Sequence, residues 1–510
     1  MLAQVKSCAI YGLESFLVDV EVDISSGLPA FDIVGLPDMA VKESRERVRA
    51  AIKNQNFDFP VKRITLNLAP ADIKKEGPHF DLPIALGILA ATEQLPAEHL
   101  KQYAAVGELS LDGKLRPVSG ILPMAIEVKE KKLKGIMVPR ENAEEAAVIQ
   151  GIDVIGINTL EEAVGFLRGE LKIKSVEPRT GKGETLPHEG DFSEVKGQWN
   201  LKRCLEIAAA GHHNVIMVGP PGSGKTMVAR RIPSILPSMT FEESLELTKI
   251  YSIAGLLSTH SSLIEKRPFR APHHSISAVG MVGGGRIPKP GEVTLAHYGV
   301  LFLDELPEFP REILELLRQP LEDGKITISR LNAAITYPAK FMLVAAMNPC
   351  PCGFFGDPFH ECSCAPYQIQ RYLSRISGPL MDRIDLQVEV APVKFADFEE
   401  PSTEDSAAIK KRVEAARLIQ LERYEGQNIY YNSQLTPNLI NRYCRLGRTE
   451  KLLMKEAFHR LKLSARAYNR ILKVARTIAD LDGAEAIGEN HIAEALRYRN
   501  IDKYYNNLRL

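Results

Sequence analysis

Two short stretches of this sequence contain residues that suit the binding and cleavage of a nucleoside triphosphate. The first lies between an apolar run and a helix and consists of Gly219, Pro220, Pro221, Gly222, Ser223, Gly224, Lys225 and Thr226. Its glycines let backbone N–H groups converge on phosphate oxygens, while Lys225 neutralises the β and γ phosphates. Thr226 is the residue type that holds Mg²⁺ in such a loop. The stretch fits the P-loop pattern and predicts a nucleotide site.

The second stretch is the apolar run Val300–Leu303, which ends in two carboxylates. Behind a P-loop, we expect Asp304 to join the magnesium shell and Glu305 to polarise the attacking water. Without that context the pair would be an ordinary acidic surface after a strand. A third apolar run, Phe341 to Met347, ends in Asn348. An amide there can orient the water through hydrogen bonds, or it can form a turn with the proline that follows.

Four of the seven cysteines lie close together, in an insertion at 350–364. They are Cys350, Cys352, Cys362 and Cys364, and they offer four thiolates for tetrahedral Zn²⁺. The spacing within each pair is tighter than usual, and His360 can replace one ligand. The alternative is four reduced thiols that pack a short hairpin. An odd cysteine count argues against a disulfide framework.

Composition excludes several classes of protein. The 510 residues are 45% hydrophobic and 25% charged, as in an ordinary globular protein of several domains. Lys+Arg and Asp+Glu both total 64, so any surface for nucleic acid must be local. No apolar run approaches the ~18 residues of a membrane span, and the N-terminus does not resemble a secretory leader. We therefore expect a cytoplasmic protein with no membrane partner.

The pattern of helices and strands expected around these residues predicts a multidomain chain. Residues 1–174 alternate as strands and helices of an α+β domain, and 175–191 form a Pro- and Gly-rich linker. Residues 192–398 place apolar strands between helices, which is typical of a parallel α/β sheet covered on both faces. Residues 399–510 are almost wholly helical and read as a lid.

The basic residues of the chain concentrate in this lid. Between Arg442 and Arg476 there are eleven lysines or arginines and two glutamates. They form either solvated helix faces or a surface that meets phosphate or a nucleic-acid backbone.

The order of these features resembles that of an AAA+ ATPase. A P-loop comes first, followed by the Asp-Glu strand, the Asn-tipped strand and the helical lid. The resemblance implies ATP as the nucleotide and a homo-oligomeric ring, usually a hexamer, in which a neighbour's arginine completes each site. Pro379 to Leu386 resembles the segment with this arginine finger, which assigns Arg383, with Arg375 as the alternative. Arg466 resembles the sensor-2 arginine of the lid. Each arginine can instead form an ion pair on a helix surface.

More specific strings resemble the YifB/ComM proteins, relatives of the magnesium-chelatase motor subunit, over essentially the whole chain. These strings are Val34–Asp38, Asn67–Asp72, Arg267–Ser277, Val282–Gly285, Pro290–Phe309 and Asn348–Gly353. The resemblance implies a bacterial ATPase that moves DNA, because the best understood member migrates DNA branches during natural transformation. The alternative is a chelatase-type motor that remodels a partner protein during metal insertion.

The family resemblance also implies two pore-facing segments. One holds His273, His274 and the glycine run that follows, and the other is the hairpin Lys325 to Ala339. Basic side chains on these segments, Arg286, Lys289 and Arg330, are candidates to grip DNA phosphates. The alternative is that the histidines and basic residues only support the loops.

The N-terminal domain resembles the peptidase fold of Lon. His79 stands where that peptidase has its serine nucleophile, and Leu122 stands where it has its lysine base. An imidazole has no hydroxyl to acylate and leucine accepts no proton. We therefore predict a scaffold or partner-binding module without peptidase activity.

Overall fold

The computed structural model describes residues 2–177, 190–257, 262–285, 289–330, 333–392, 404–461 and 463–499. The chain divides into two compact units. Unit 1 comprises Met1–Glu184 and Phe241–Glu265, and unit 2 comprises Thr185–Thr240 and Lys266–Leu510. Most of the predicted linker at 175–191 lies outside the described residues. In the described part of the chain, no helix is both long enough and apolar enough to cross a membrane.

Unit 1 is built on a seven-stranded mixed sheet with the strand order β3-β4-β2-β1-β5-β8-β9. Its long hairpin pairs β1 with β2 from Leu2 opposite Asp23 to Tyr11 opposite Glu14. In the middle of β2 the buried residues Val18, Val20 and Val22 alternate with partly exposed ones, as expected for a strand with one face on a core. The strands, with the small pair β6–β7, are β1 Leu2–Tyr11, β2 Glu14–Ser25, β3 Ala30–Val34, β4 Arg63–Ala69, β5 Tyr103–Ala105, β6 Glu108–Leu109, β7 Leu115–Arg116, β8 Gly135–Pro139 and β9 Asp153–Ile157.

The helices of unit 1 cover this sheet. Asp81–Ala91 is buried along its whole length, and Met39–Asn54 begins at Asp38, whose carboxylate accepts the backbone N–H of Val41 at 2.8 Å. The remaining helices from the first 177 residues are Ala97–Leu100, Ile121–Glu130, Ala143–Ala147 and Leu160–Arg168.

One helix of unit 1, Phe241–Ala254, comes from the segment 192–398 that the sequence assigns to the α/β domain. Its Ser252 hydroxyl donates to the buried Glu145 carboxylate at 2.5 Å, and the backbone carbonyl of Ser252 accepts the N–H of Gly120 at 3.1 Å. Leu245 packs against the core cluster around helix Ile121–Glu130. The N-terminal unit is therefore discontinuous in sequence, a division that the linker at 175–191 does not predict.

Unit 2 contains the expected parallel sheet, with the strand order β11-β14-β17-β10-β18. Its central strands are buried on both faces, which explains their continuous apolar sequence. The strands of unit 2, including two hairpin pairs outside the sheet, are β10 Val215–Val218, β11 Phe269–Arg270, β12 Gly283–Gly284, β13 Lys289–Pro290, β14 Val300–Leu303, β15 Lys325–Arg330, β16 Ala333–Pro338, β17 Met342–Met347 and β18 Leu386–Glu389.

Helices flank this sheet and form the C-terminal region. The helix expected from Arg311 to Leu321 is two helices, Arg311–Leu316 and Arg318–Asp323, because Pro320 has no N–H for the carbonyl four residues earlier. The other α-helices of unit 2 are Trp199–Gly211, Lys225–Arg231, Ala278–Val282, Glu292–Leu295, Pro366–Leu373, Gly378–Met381, Ser406–Arg423, Pro437–Tyr443, Arg448–Leu461, Ala465–Leu481 and Glu489–Arg497. The helical C-terminal region is thus confirmed.

Candidate site of nucleotide binding and hydrolysis

The P-loop lies between β10 and helix Lys225–Arg231, as its sequence predicts. Gly222 and Gly224 adopt φ values of +77° and +84°, which glycine tolerates without strain. The ammonium group of Lys225 donates to the carbonyl oxygens of Gly219 at 2.7 Å and Pro220 at 2.8 Å, and it lies 3.3 Å from the amide oxygen of Asn348. The loop therefore holds the lysine at the point where a phosphate would bind.

The electrostatic state of Lys225 is unusual for a lysine. Its side chain is only 8% exposed, and burial lowers its pKa to about 8, against the opposing effect of the Asp304 and Glu305 carboxylates. The phosphates of a bound triphosphate would place negative charge beside the buried ammonium and favour its charged form. Nucleotide binding and protonation of Lys225 should therefore favour each other.

The two residues expected to bind Mg²⁺ are in direct contact. The Thr226 hydroxyl donates to a carboxylate oxygen of Asp304 at 2.6 Å, across the gap between the P-loop helix and the end of β14. A hydroxyl and a carboxylate side by side provide the hard oxygen ligands that Mg²⁺ prefers. The donor set fits the metal that a nucleotide would bring with it.

Glu305 follows Asp304 in a left-handed backbone conformation, with φ +52°. Its N–H donates to Asp304 at 3.0 Å, which fixes the turn, and its carboxylate is 58% exposed. One carboxylate oxygen of Glu305 lies 3.7 Å from Nδ1 of His274. The sequence did not predict this contact, because the two residues are far apart in the chain. The signal for it is the parallel pairing of β11 with β14, which brings both strand ends to one edge.

Asn348 occupies the position expected of it, at the end of β17. This strand pairs in parallel with β10, and the N–H of Gly219 donates to the carbonyl of Met347 at 3.2 Å. The side chain of Asn348 therefore lies beside Lys225 at the carboxyl edge of the sheet. The structure brings Lys225, Thr226, Asp304 and Asn348 into one site, and Glu305 follows Asp304 directly.

The three predicted arginines are not part of this cluster. Arg383 is 13% exposed and pairs with Glu322 of its own chain, and it also donates to the carbonyl of Pro379 at 2.7 Å. Arg375 is 50% exposed and pairs with Glu308 at 2.8 Å. Arg466 is exposed at the start of helix Ala465–Leu481. A residue that must reach a neighbouring protomer needs an accessible guanidinium, a condition that Arg375 meets better than Arg383.

The four cysteine sulfurs lie within 4.8 Å of one another. Cys350 is 3.3 Å from Cys352 and 3.7 Å from Cys362, and Cys352 is 3.6 Å from Cys362. Tetrahedral Zn²⁺ with Zn–S distances of ~2.3 Å requires sulfurs roughly 3.8 Å apart. His360 is not in this group, because it is exposed and pairs with Asp357 at 3.4 Å. The donor set fits zinc without the histidine.

The cysteine segment also touches the nucleotide site. A cavity of about 150 Å³ separates part of this segment from the P-loop, and its lining includes Gly219, Pro220, Phe355 and Val390. At Gly353, an added Cβ would approach Pro221 of the P-loop to 2.6 Å. The segment that begins two residues after Asn348 therefore packs against Pro221 of the P-loop.

The predicted pore-facing residues are only partly described. Lys289 is exposed on β13, which pairs with β12, and His273 is exposed beside His274, with a distance of 4.0 Å between the ring centroids. The side chains of Arg286 and Arg330 lie outside the described residues. The strands β15 and β16 form the expected hairpin.

In unit 1, His79 and Leu122, which the sequence analysis compares with the Lon nucleophile and base, are buried. Nε2 of His79 is 3.0 Å from the carbonyl of Cys8, and burial lowers the His79 pKa to about 4. Leu122 is part of the core cluster around helix Ile121–Glu130. Neither side chain supplies the serine hydroxyl or the lysine amine of a Lon-type peptidase, and the lack of peptidase activity stays a prediction.

A P-loop on an inner strand of a parallel sheet, with an Asp-Glu pair two strands away and an Asn-tipped strand between them, defines an ATPase domain of the AAA+ class. Family models match three segments. Residues 191–398 match magnesium chelatase, subunit ChlI; residues 20–142 match subunit ChlI of Mg-chelatase; and residues 403–499 match the ChlI C-terminal model.

Similarity to relatives over their full length identifies the family within the AAA+ class. The chain is 47% identical over 505 residues to competence protein ComM of Haemophilus influenzae, covering 98% of this chain and 97% of that protein. It is 46% identical over 504 residues to YifB of Escherichia coli, covering 98% of each. It is 24% identical over 341 residues to the magnesium-chelatase 38 kDa subunit of Rhodobacter capsulatus, covering 63% of this chain and 89% of that protein. The chain belongs to the YifB/ComM family of magnesium-chelatase-like AAA+ ATPases.

Proposed function

We propose that this ATPase assembles into a ring, most simply a hexamer, and couples ATP hydrolysis to DNA translocation or branch migration. The observation that carries the proposal is similarity along nearly the whole chain to a protein named for competence. The exposed Lys289 and the β15–β16 hairpin support it, because they supply a basic side chain and the two-stranded element expected to face a pore.

The geometry supports a specific division of labour during hydrolysis. Lys225 leaves the carbonyls of Gly219 and Pro220 and donates to the β and γ phosphate oxygens. Thr226 and Asp304 would hold Mg²⁺, and the ion would supply positive charge beside those oxygens. Glu305 accepts the proton of the attacking water, whose oxygen bonds to the γ phosphorus as the bond to ADP breaks.

Three further residues complete the proposed site. Asn348 orients the attacking water, because its amide is held beside Lys225. An arginine of the neighbouring protomer, Arg383 or Arg375, stabilises the charge on the transferred phosphoryl group. Arg466 of the lid acts as the sensor-2 arginine and contacts the bound nucleotide. The catalytic unit is therefore a junction between protomers.

The proposed function is tested with the full chain and defined DNA. ATPase rates are measured with forked, single-stranded and duplex DNA, and migration of a fluorescent branched junction is followed in parallel. We expect branched or single-stranded DNA to raise the rate and ATP to drive migration, while Lys225→Ala abolishes both. An ATPase rate indifferent to every DNA, with no migration, would overturn the proposal.

The second candidate function is that of a chelatase-type motor that remodels a partner protein. The similarity to the magnesium-chelatase subunit, which spans most of that smaller protein, favours it. This function requires a protein partner, not DNA, to raise the ATPase rate. The same assay with a purified partner in place of DNA separates the two.

We also propose that the four cysteines bind structural Zn²⁺. The sulfur separations support this proposal, and the four thiolates would fill a tetrahedral site and leave no position for substrate. The bound ion would fix the segment that packs on Pro221 of the P-loop. Metal analysis of the purified chain should find about one zinc per protomer.

The N-terminal unit is proposed as a non-catalytic scaffold of Lon-peptidase type. The buried His79 and Leu122 support this role, since neither can form an acyl-enzyme. We place the protein in the cytoplasm, where thiols such as these remain reduced.

A further inference from the structure

Four basic side chains form a row along helix Arg448–Leu461 of the C-terminal region. They are Arg448, Lys451, Lys455 and His459, and all four are exposed. Their separations of three or four positions place them on one face of the helix. At ~1.5 Å of rise per residue, this basic row is about 16 Å long.

The opposite face of this helix packs on the core of unit 2. Met454 belongs to the core cluster, and Ala457 is buried one turn further along. The basic row therefore points away from the core. Within the described part of the chain, no carboxylate forms an ion pair with Arg448, Lys451 or Lys455. The charges of the row are not needed to hold the fold together.

The two carboxylates of the helix do not neutralise the row. Glu450 is half-buried, and its Oε2 lies towards Gly447, where an added Cβ would approach it to 2.4 Å. Glu456 is exposed, but it lies about 100° around the helix from Lys455. Like charges three or four positions apart destabilise a helix. An anion bound along the row would relieve this repulsion.

Two exposed apolar side chains flank the basic row. Leu452 is 55% exposed, and Phe458 is 39% exposed and contacts the ring of Tyr468 edge to face, with 6.4 Å between the centroids. Basic side chains beside an aromatic ring are typical of surfaces for single-stranded nucleic acid, since the cations follow the phosphates and the ring stacks on a base. The flanks therefore favour a polynucleotide over a small anion.

We propose that the basic row binds the phosphate backbone of single-stranded DNA, with Phe458 against a base. At ~3.4 Å of rise per nucleotide, a row of this length faces about five phosphates. The inference rests on the proposed function and deepens it, because it names a surface of the C-terminal region that holds DNA. The row includes no residue of the nucleotide site, so it holds the strand without taking part in hydrolysis.

The test measures binding of the full chain to a fluorescent dT oligonucleotide by anisotropy, over a series of salt concentrations. The row variant is Arg448→Gln/Lys451→Gln/Lys455→Gln, because glutamine removes the charge and suits a helix. We expect Kd at low salt to be at least about tenfold weaker. The slope of log K against log salt should be less steep by about two, since each phosphate contact of a single strand contributes about 0.7.

Two control variants separate the row from net charge. Lys53→Gln/Lys129→Gln/Lys172→Gln removes three exposed charges from unit 1, and both Kd and slope should stay as in the wild type. Lys451→Arg/Lys455→Arg keeps the charges of the row and should also bind as the wild type does. An equal loss of affinity in the unit 1 control would overturn the proposal.

Single substitutions give independent measurements if the row variant unfolds. Lys455→Gln alone should reduce the slope by about 0.7. Phe458→Ala should weaken binding about fivefold or more with the slope unchanged, because stacking releases no counterions. Wild-type affinity and slope in the row variant would overturn the proposal. So would loss of self-association by that variant in sedimentation, since the row would then be a contact between copies.

ATPase rates with and without the oligonucleotide distinguish this inference from the proposed function. If DNA stimulates the wild type while the row variant binds DNA normally, this inference fails and the proposed function stands. If the row binds DNA but DNA changes neither the ATPase rate nor branch migration, the proposed function fails and the binding surface stands.

Discussion

The depressed pKa of Lys225 predicts that nucleotide affinity depends steeply on pH above neutrality. With a pKa of about 8 in the free protein, the fraction of Lys225 that is protonated falls about tenfold between pH 7 and pH 9. Bound phosphates favour the ammonium form and raise the pKa above this range. Binding at pH 9 must therefore take up a proton, at a cost of about 1.4 kcal/mol.

The assay is titration calorimetry with a non-hydrolysable ATP analogue and Mg²⁺ at pH 7 and pH 9. We expect Kd to be about tenfold weaker at pH 9, and about one proton to be taken up per nucleotide there, measured in buffers of different ionisation enthalpy. Lys225→Arg is the matched control, because a guanidinium stays charged at both pH values. Equal wild-type affinities at the two pH values, with no proton uptake, would refute the argument.

The other predictions concern the base, the protomer junction, the thiolates and unit 1. Glu305→Gln should bind ATP normally while kcat falls by 10²–10⁴, measured by single-turnover hydrolysis; normal turnover would show that Glu305 is not the base. Mixing Glu305→Gln with Arg383→Ala, or with Arg375→Ala, should restore some activity for whichever arginine acts across the junction, and rescue in neither mixture would exclude both. Cys362→Ser should lose the zinc that a Cys444→Ala control keeps, by elemental analysis. Ser252→Ala should lower the free energy of unfolding by about 1–2 kcal/mol in a urea titration, since the buried Glu145 loses a donor.

Much of the ATPase site could be predicted because its signals are local. The P-loop pattern is one short stretch that contains both its glycines and Lys225. Strands β14 and β17 are continuous apolar runs in the sequence, and Asp304 and Asn348 follow them directly. In a parallel sheet those ends meet at one edge, so their proximity follows from the strands alone.

The contacts that escaped prediction join distant parts of the chain. The contacts His274–Glu305 and Arg383–Glu322 depend on the tertiary fold around the sheet, and no periodicity in the sequence predicts either pair. The placement of Phe241–Ala254 in unit 1 has the same cause, since an amphipathic helix does not encode which core it will cover. Arg383 shows the limit of the family resemblance, which assigned this arginine as the arginine finger but could not predict its ion pair with Glu322.

The discontinuity of unit 1 sets an order on the biogenesis of the protein. Leu245 packs against its core, and the Ser252 hydroxyl donates to its buried Glu145. Both residues leave the ribosome only after the whole P-loop has been synthesised. A truncated product ending at the linker would expose apolar surface that the helix normally covers, and a fragment starting there would carry that helix without its docking groove. If a protease cut the chain at the linker, the two fragments should therefore stay associated, because helix Phe241–Ala254 belongs to the C-terminal fragment but packs in unit 1.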